Sequence, residues 1–332
     1  MRTEIAIEIG TSFTKIYKSK CDVVLCEPTV IAIKNGNYKK PYAVGSDALK
    51  LVGKTADGIK IIKPVNAVEI LDFNALTALI SAFVNKILKP FESVKRILLS
   101  VQCGSDGEVI RHFENALQSA RLYNICTVET PVLSVLGVGN VLTQTSANGI
   151  IDFGGGQTTI CVLNLNGVIS GVSVDFGGND LNKSIIKHLE EEVNITITDT
   201  QAEALKKSVA SLMQDDDTKT VVSGKETTSG KARTMLISAS MIVKPVMEFV
   251  NKIAEIAVMV LNKLPDESII ELNHNGIILT GGGSILYGLQ DYMFNKLGYK
   301  IIMASEPDLS SIIGAGKVLA NKDLLLKLKL KQ

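Results

Sequence analysis

Two stretches of this chain share one plan: an apolar strand, a glycine turn rich in hydroxyls, and a second strand. Glu8-Ile9-Gly10-Thr11-Ser12 lies between residues 5–9 and 13–17, and Asp152-Phe153-Gly154-Gly155-Gly156-Gln157-Thr158 between residues 150–152 and 159–163. The repeat points to an internal duplication, two related domains facing each other across a cleft. The length of 332 residues fits that, being too great for one compact core. A third turn, Thr280-Gly281-Gly282-Gly283-Ser284, follows Gly276-Ile277-Ile278-Leu279. Without a Cβ the main chain can approach a ligand closely, and successive N–H groups can converge on an anion while flanking hydroxyls donate further bonds. One Gly-Gly-Gly reads equally well as a plain tight turn. Three at strand ends, two with an acidic residue at the strand exit, make a nucleotide the first ligand to expect.

Hydrophobic residues at 46% and charged residues at 21% describe an ordered globular chain. A net charge of +1 gives no electrostatic case for nucleic acid as a partner, since that needs a clustered positive surface. Cys21, Cys26, Cys103, Cys126 and Cys161 form no C-x-x-C pair and lie mostly in apolar runs, so buried free thiols in a reducing compartment are expected rather than metal ligands. His112, His188 and His274 are isolated and receive no catalytic role. The N-terminal residues run directly into a strand without a secretory signal, and no apolar run reaches the roughly 18 residues that cross a bilayer. The expected location is the cytoplasm.

Along the chain, strands are expected at 5–9, 13–17, 23–25 and 30–33, then a helix after Asn74, a plausible cap, with Leu76, Leu79, Ile80, Phe83, Ile87 and Leu88 at helical spacing. A strand at 97–101, a helix at 107–122, a strand at 126–128 and a helix at 132–138 follow. In the second half, a strand at 173–175 leads through Phe176-Gly177-Gly178 to a helix at 181–193. A second helix at 200–212 is capped by Asp199 or Thr200, and polar residues 215–234 form an exposed hairpin or loop. A long core-facing helix at 238–264 stops before Pro265, and strand, glycine turn and helix return at 277–289. The element order is α/β, mixed sheets covered by helices.

With these turns in this order the chain resembles the superfamily of actin, sugar kinases and heat-shock ATPases, and within it the bacterial actin MreB family. The resemblance rests on Ile7-Glu8-Ile9-Gly10-Thr11, Val24-Leu25-Cys26-Glu27-Pro28-Thr29-Val30-Ile31-Ala32-Ile33, Asp72-Phe73, Asp152-Phe153-Gly154-Gly155-Gly156, Val174-Asp175-Phe176-Gly177-Gly178-Asn179-Asp180 and Ile278-Leu279-Thr280-Gly281-Gly282-Gly283. It covers nearly all of residues 4–320, and the stretch 27–33 is its more family-specific part. It implies an actin-like two-domain fold with duplicated mixed β-sheets, flanking helices and a nucleotide cleft between the domains. Domain I is expected at 1–138 and 308–332, with a small subdomain near 30–70. Domain II is expected at 139–307, with one near 182–240.

The resemblance further implies ATP and Mg²⁺ as cofactors. Gly10, Thr11, Ser12 and Thr14 would hold the β-phosphate side, and Gly154, Gly155, Gly156 and Thr158 the outer phosphates. Gly281, Gly282 and Gly283 would pass against the adenosine, and Glu203 with Lys206, one helical turn apart, would hold ribose and base. The bland reading of that pair is a surface ion pair. Asp152 would face the metal, as would Glu8 where the family usually has aspartate; a glutamate, one methylene longer, would reach through water.

The catalytic positions depart further. The family glutamate before the proline of the helix at Pro131 is here Thr130, with Glu129 one residue earlier, and the usual threonine after the triple glycine is Gln157. Hydrolysis needs an in-line water held by a polar group. Either Gln157 holds that water with Thr130 as its partner, or the site binds ATP and turns it over very slowly.

The implied function is a filament-forming, ATP-binding bacterial actin at the inner membrane surface that guides wall synthesis and cell shape, with the cell-wall synthesis machinery as partner. A specialised actin that positions plasmids or organelles is the alternative. A small-molecule kinase of the same superfamily is a further one, needing a cleft aspartate such as Asp72 or Asp175. Two segments are candidate membrane contacts. In Leu88-Lys89-Pro90-Phe91-Glu92, Leu88 and Phe91 either insert shallowly or face the core. The leucine- and lysine-rich end 324–331 either meets anionic lipid or packs on its own domain.

Overall fold

The computed structural model describes residues 2–54, 57–66, 69–213 and 215–330. The chain divides into two compact units, Met1–Thr143 with Asp308–Gln332, and Gln144–Pro307.

The first unit opens with β1 (Arg2–Ile9), β2 (Phe13–Lys18), β3 (Asp22–Pro28), β4 (Ile31–Lys34), β5 (Ala43–Val44), α1 (Ser46–Leu49), β6 (Ile59–Ile62), β7 (Val65–Asn66) and β8 (Glu69–Ile70). It continues with α2 (Phe73–Ile87), β9 (Ser93–Val101), α3 (Gly107–Ser119), β10 (Ile125–Glu129) and α4 (Thr130–Val138). Its main sheet runs β10-β9-β1-β2-β3, antiparallel among β1, β2 and β3 and parallel from β1 through β9 to β10. Central β1 buries Ile5, Ala6 and Ile7 in succession, as expected of a strand covered on both faces. The α2 cap is Asp72, whose side chain accepts from the Ala75 amide at 2.9 Å, rather than Asn74. An aspartate at that position satisfies one of the orphan amides of the first turn.

The second unit holds β11 (Asn148–Phe153), β12 (Thr158–Asn164), β13 (Gly167–Val174), α5 (Gly178–Val193), β14 (Ile195–Thr196), α6 (Asp199–Val209), β15 (Lys219–Glu226), β16 (Ala232–Ser238) and α7 (Ala239–Leu261). After these come α8 (Asp266–Asn275), β17 (Ile277–Thr280), a 3-10 turn at Gly282–Ile285, α9 (Leu289–Leu297) and β18 (Ile301–Met303). Its sheet order, β13-β12-β11-β17-β18, repeats that of the first unit: a three-stranded antiparallel meander with two parallel strands added beyond its first strand. The duplication inferred from the turns is thus a duplication of sheet topology.

Several local expectations change. Thr198, not Asp199 or Thr200, caps α6, in a reciprocal box with Gln201. The polar stretch after residue 215 does form a hairpin, β15–β16, as expected, and it pairs with β14. Helix α8 was not anticipated, and the third glycine turn leads into a 3-10 turn with α9 starting only at Leu289. Of the five free cysteines only Cys161 is buried; Cys21 and Cys26 are exposed and Cys103 and Cys126 half-buried.

The chain then returns to the first unit as α10 (Ser310–Ala320) and α11 (Lys322–Leu328). Helix α10 crosses α4 with backbones in contact: a Cβ on Gly314 would lie 1.8 Å from the Leu133 carbonyl oxygen, and one on Gly137 1.8 Å from that of Ser310. Helix α11 packs on its own unit through buried Leu325, and the Leu330 amide donates to the Thr127 carbonyl at 2.9 Å, covering the edge of β10. The described part of the C-terminal segment thus packs on its own unit through one face, with Leu326 exposed on the other; Lys331 lies outside the described residues.

Candidate phosphate turns and base cavity

In the first unit the turn between β1 and β2 is braced from behind. The Gly10 amide donates to the Phe13 carbonyl at 3.0 Å, and the Thr29 hydroxyl donates to the Gly10 carbonyl at 2.7 Å. Buried Thr14 lies 3.0 Å from the Thr29 hydroxyl, so with the Thr29 hydrogen engaged, Thr14 is the donor of that pair. Thr14 thus shapes the turn, while Thr11 and Ser12, both half-buried, sit at its tip.

Glu8, one residue before the end of β1, has both carboxylate oxygens engaged. One lies 2.7 Å from the Lys15 ammonium and the other accepts from the Ser311 hydroxyl. Lys15 was missed in the sequence, although a tight hairpin sets it directly opposite Glu8, the geometry in which opposite charges meet across strands. A cavity of about 30 Å³, with room for one or two waters, touches Glu8, Ser100 and Thr130. Buried Thr130 donates its hydroxyl hydrogen to the Val101 carbonyl at 2.9 Å and meets the Ser100 hydroxyl at 2.8 Å. Glu129 accepts from the Gly104 amide at 3.1 Å.

In the second unit, the triple-glycine turn after β11 closes through the Gly154 amide on the Gln157 carbonyl at 2.9 Å. The next glycine turn staples it down: the Gly178 amide donates to the Gly154 carbonyl at 3.0 Å and the Asn179 amide to the Gly155 carbonyl at 2.7 Å. Both carbonyls are thereby turned away, and the Gly155 and Gly156 amides have no backbone partner among the described residues. Adjacent amides so arranged form an anion-binding concavity. Thr158 is fully buried and donates to the Phe176 carbonyl at 2.7 Å, so its hydroxyl holds the turn in place. The Gln157 side chain donates from Nε2 to Asp175 Oδ1 at 3.1 Å.

The third turn lies on the second. Gly281 has φ +80°, and a Cβ there would come within 2.3 Å of Asp152 Oδ1; one on Gly283 would come within 2.9 Å of the Phe153 Cβ. Only glycine permits both the left-handed backbone and that approach. Gly282 faces open space and, with Gly283 and Lys206, lines a cavity of about 1120 Å³. Leu212 and Tyr287, which also line it, are joined by the Leu212 amide donating to the Tyr287 carbonyl at 2.9 Å.

Lys206 binds both the Glu203 carboxylate at 2.6 Å and the Gly178 carbonyl at 3.0 Å, and Asn182 donates to Glu203 at 2.8 Å. This is no loose surface pair: it ties α6 to the backbone at the start of α5, beside the triple-glycine turn. Burial pushes the Glu203 pKa up, but the hydrogen bond and charge of Lys206, helped by Asn182 and Lys207, outweigh it and hold the group down at about 2. Burial also lowers Lys206, and its bond to Glu203 offsets part of that. Among the described residues no cluster of three or more His, Cys, Asp or Glu side chains could hold a metal ion.

A duplicated sheet carrying glycine turns of this kind is the actin-like architecture. MreB5 of Spiroplasma citri, solved bound to ADP, superposes with a TM-score of 0.90 at 24% identity, covering 98% of both chains. A MamK double helical filament gives 0.79 at 18% identity, covering 97% of this chain and 99% of that one. The chain belongs to the MreB/Mbl family, whose model, described as MreB/Mbl protein, matches residues 2–327. It is 29% identical over 329 residues to the cell shape-determining protein Mbl of Bacillus subtilis (strain 168), covering 98% of each. It is therefore a bacterial actin homologue.

Proposed function

We propose that this protein binds ATP and polymerises into filaments at the inner face of the cytoplasmic membrane, where it takes part in setting cell shape together with the wall-synthesis machinery. The observation behind this reading is the second unit's run from glycine turn to cavity: Gly155 and Gly156 amides without a backbone partner among the described residues, the Gly178 carbonyl held by Lys206, and Lys206, Gly282 and Gly283 on one cavity wall. A relative solved with ADP and another solved as a filament support it. In the first unit, the tip residues Thr11 and Ser12 offer donors to a phosphate, Gly10 closes the turn beneath them with its amide on the Phe13 carbonyl, and Lys15 adds a positive charge.

Mg²⁺ takes oxygen ligands and keeps several waters beside nucleotide phosphates. Asp152, at the strand exit beside Gly281, suits that role, while Glu8, with both oxygens engaged, would reach a metal only through water. Bound there, the ion would neutralise charge on the phosphate oxygens. For hydrolysis Gln157 is the residue proposed to hold the attacking water, while Thr130 and Glu129 support the first unit's backbone.

Self-association follows the head-to-tail logic of a contact whose rotation does not close. Light scattering is expected to rise on adding ATP with magnesium, and electron microscopy to show filaments. Nucleotide turnover without any polymer would favour the kinase alternative. Against that alternative, Asp72 caps α2 and accepts from the Tyr38 hydroxyl at 3.1 Å, which leaves it a structural role.

The membrane contact proposed is Phe91. Its side chain is 99% exposed at a backbone φ of +64°, whereas Leu88 packs against the core of the first unit. The two residues the sequence left paired are thus separated. A buried ion pair fixes the loop: Lys18 meets Glu92 at 2.7 Å, and Lys18 also donates to the Ile87 carbonyl at 3.0 Å. Burying a phenylalanine contributes about 1.5–3 kcal/mol. Phe91→Ser is therefore expected to cut co-sedimentation with anionic liposomes roughly tenfold or more at unchanged thermal stability; equal pelleting would remove Phe91 from membrane binding.

A further inference from the structure

Gln157 is the one residue of the triple-glycine turn whose side chain is both buried and half satisfied. It is 8% exposed, its Nε2 donates to Asp175 Oδ1 at 3.1 Å, and its Oε1 is buried without a hydrogen-bond partner. Which end of an amide points where is ordinarily ambiguous, but an ionised carboxylate can only accept, so Asp175 must face the NH₂ end. The carbonyl end is left as a lone acceptor. An unpaired buried acceptor costs about 1–3 kcal/mol, and a folded protein retains one where a ligand or water completes it.

We propose that Asp175 is a positioning residue for ATP hydrolysis: by fixing the Gln157 amide through Nε2, it presents Oε1 as the acceptor that orients the attacking water. The inference rests on the nucleotide reading above. In the step itself, the water oxygen forms a bond to the γ-phosphorus as the bond from that phosphorus to the β–γ bridging oxygen breaks, and the electron pair leaves on ADP. Of the two water protons, one stays on the phosphate product and the other passes to solvent. Gln157 accepts a hydrogen bond from the water throughout and takes no proton. Asp175 touches neither nucleotide nor water and acts only through Gln157.

A residue acting through another leaves a signature in a double-mutant cycle. Steady-state phosphate release and calorimetric ATP affinity would be measured with magnesium for wild type, Asp175→Ala, Gln157→Ala and the double variant. Misplacing a positioned group costs up to about 100-fold in rate. Asp175→Ala is expected to lower kcat about tenfold or more with the ATP Kd within about twofold of wild type. The double variant should be no slower than Gln157→Ala alone. Asp175→Asn, which can also offer its own NH₂ to Oε1 and let the amide turn over, should fall between wild type and Asp175→Ala. An unchanged rate in Asp175→Ala, or a further loss when it is added to Gln157→Ala, would overturn the proposal. So would a wild type that binds ATP but releases no phosphate, an outcome that leaves the nucleotide reading standing.

Discussion

Gly314→Ala is expected to lower the unfolding temperature of the first unit by roughly 6–12 °C, the equivalent of about 3 kcal/mol for a unit of this size. Two effects oppose each other. Alanine is the better helix former by about 1 kcal/mol, which favours the variant. The added methyl, however, would stand 1.8 Å from the Leu133 carbonyl oxygen and 2.9 Å from the Gly137 amide nitrogen. Both are backbone atoms and cannot rotate away, so α4 and α10 would have to separate along their whole crossing, and the overlap wins. Gly137→Ala should behave alike, since its methyl would meet the Ser310 carbonyl at 1.8 Å. Gly282→Ala is the control: nothing lies within 4 Å of the added atom, so thermal stability should be nearly unchanged. Calorimetric scans of the three variants check this, and a Gly314→Ala protein as stable as the control would show that the two helices do not touch as described.

The second large effect lies at Lys206. Lys206→Met keeps an apolar stem but removes the ammonium that joins Glu203 to the Gly178 carbonyl. Hydrogen bonds to charged groups contribute about 1.5–3 kcal/mol, so ATP affinity is expected to fall roughly 10- to 100-fold. The same pair makes the second unit sensitive to acid. Glu203 titrates near 4.5 when unfolded and at about 2 when folded. Its contribution is therefore complete above pH 4.5 and is lost as the pH falls toward 2. Glu203→Gln should flatten the stability profile in that window and leave it parallel to wild type above it. A profile unchanged in shape would mean that Glu203 is not held by Lys206 in solution.

The turns, the duplication and the α/β order were legible because each is local: strand alternation, glycine strings and helical spacing lie within a few residues of one another. Asp72 displaced Asn74 as the α2 cap, and Thr198 displaced Asp199 and Thr200 at α6, because several capping residues stand side by side and only backbone geometry chooses among them. Helix α8 lay hidden because its short sequence buries little beyond Ser268 and Leu272. At the site, sequence supplied Gly154, Gly155, Gly156, Gly281, Gly282, Gly283, Glu203 and Lys206 but no partners. That Thr14 and Thr158 bond inward, that Glu8 is held by Lys15 and Ser311, and that Gln157 leans on Asp175 depend on contacts between distant segments. Lys15 alone could have been found earlier, from the opposite charges set face to face by the first hairpin.

Calorimetric titration of the folded protein with ATP in the presence of magnesium reads directly whether the glycine turns and the Lys206 cavity hold a nucleotide. One nucleotide per chain is expected, weakened by Lys206→Met. If neither ATP, ADP nor GTP gave any heat of binding while the protein remained folded, the assignment of the glycine turns and the Lys206 cavity to a nucleotide would be wrong.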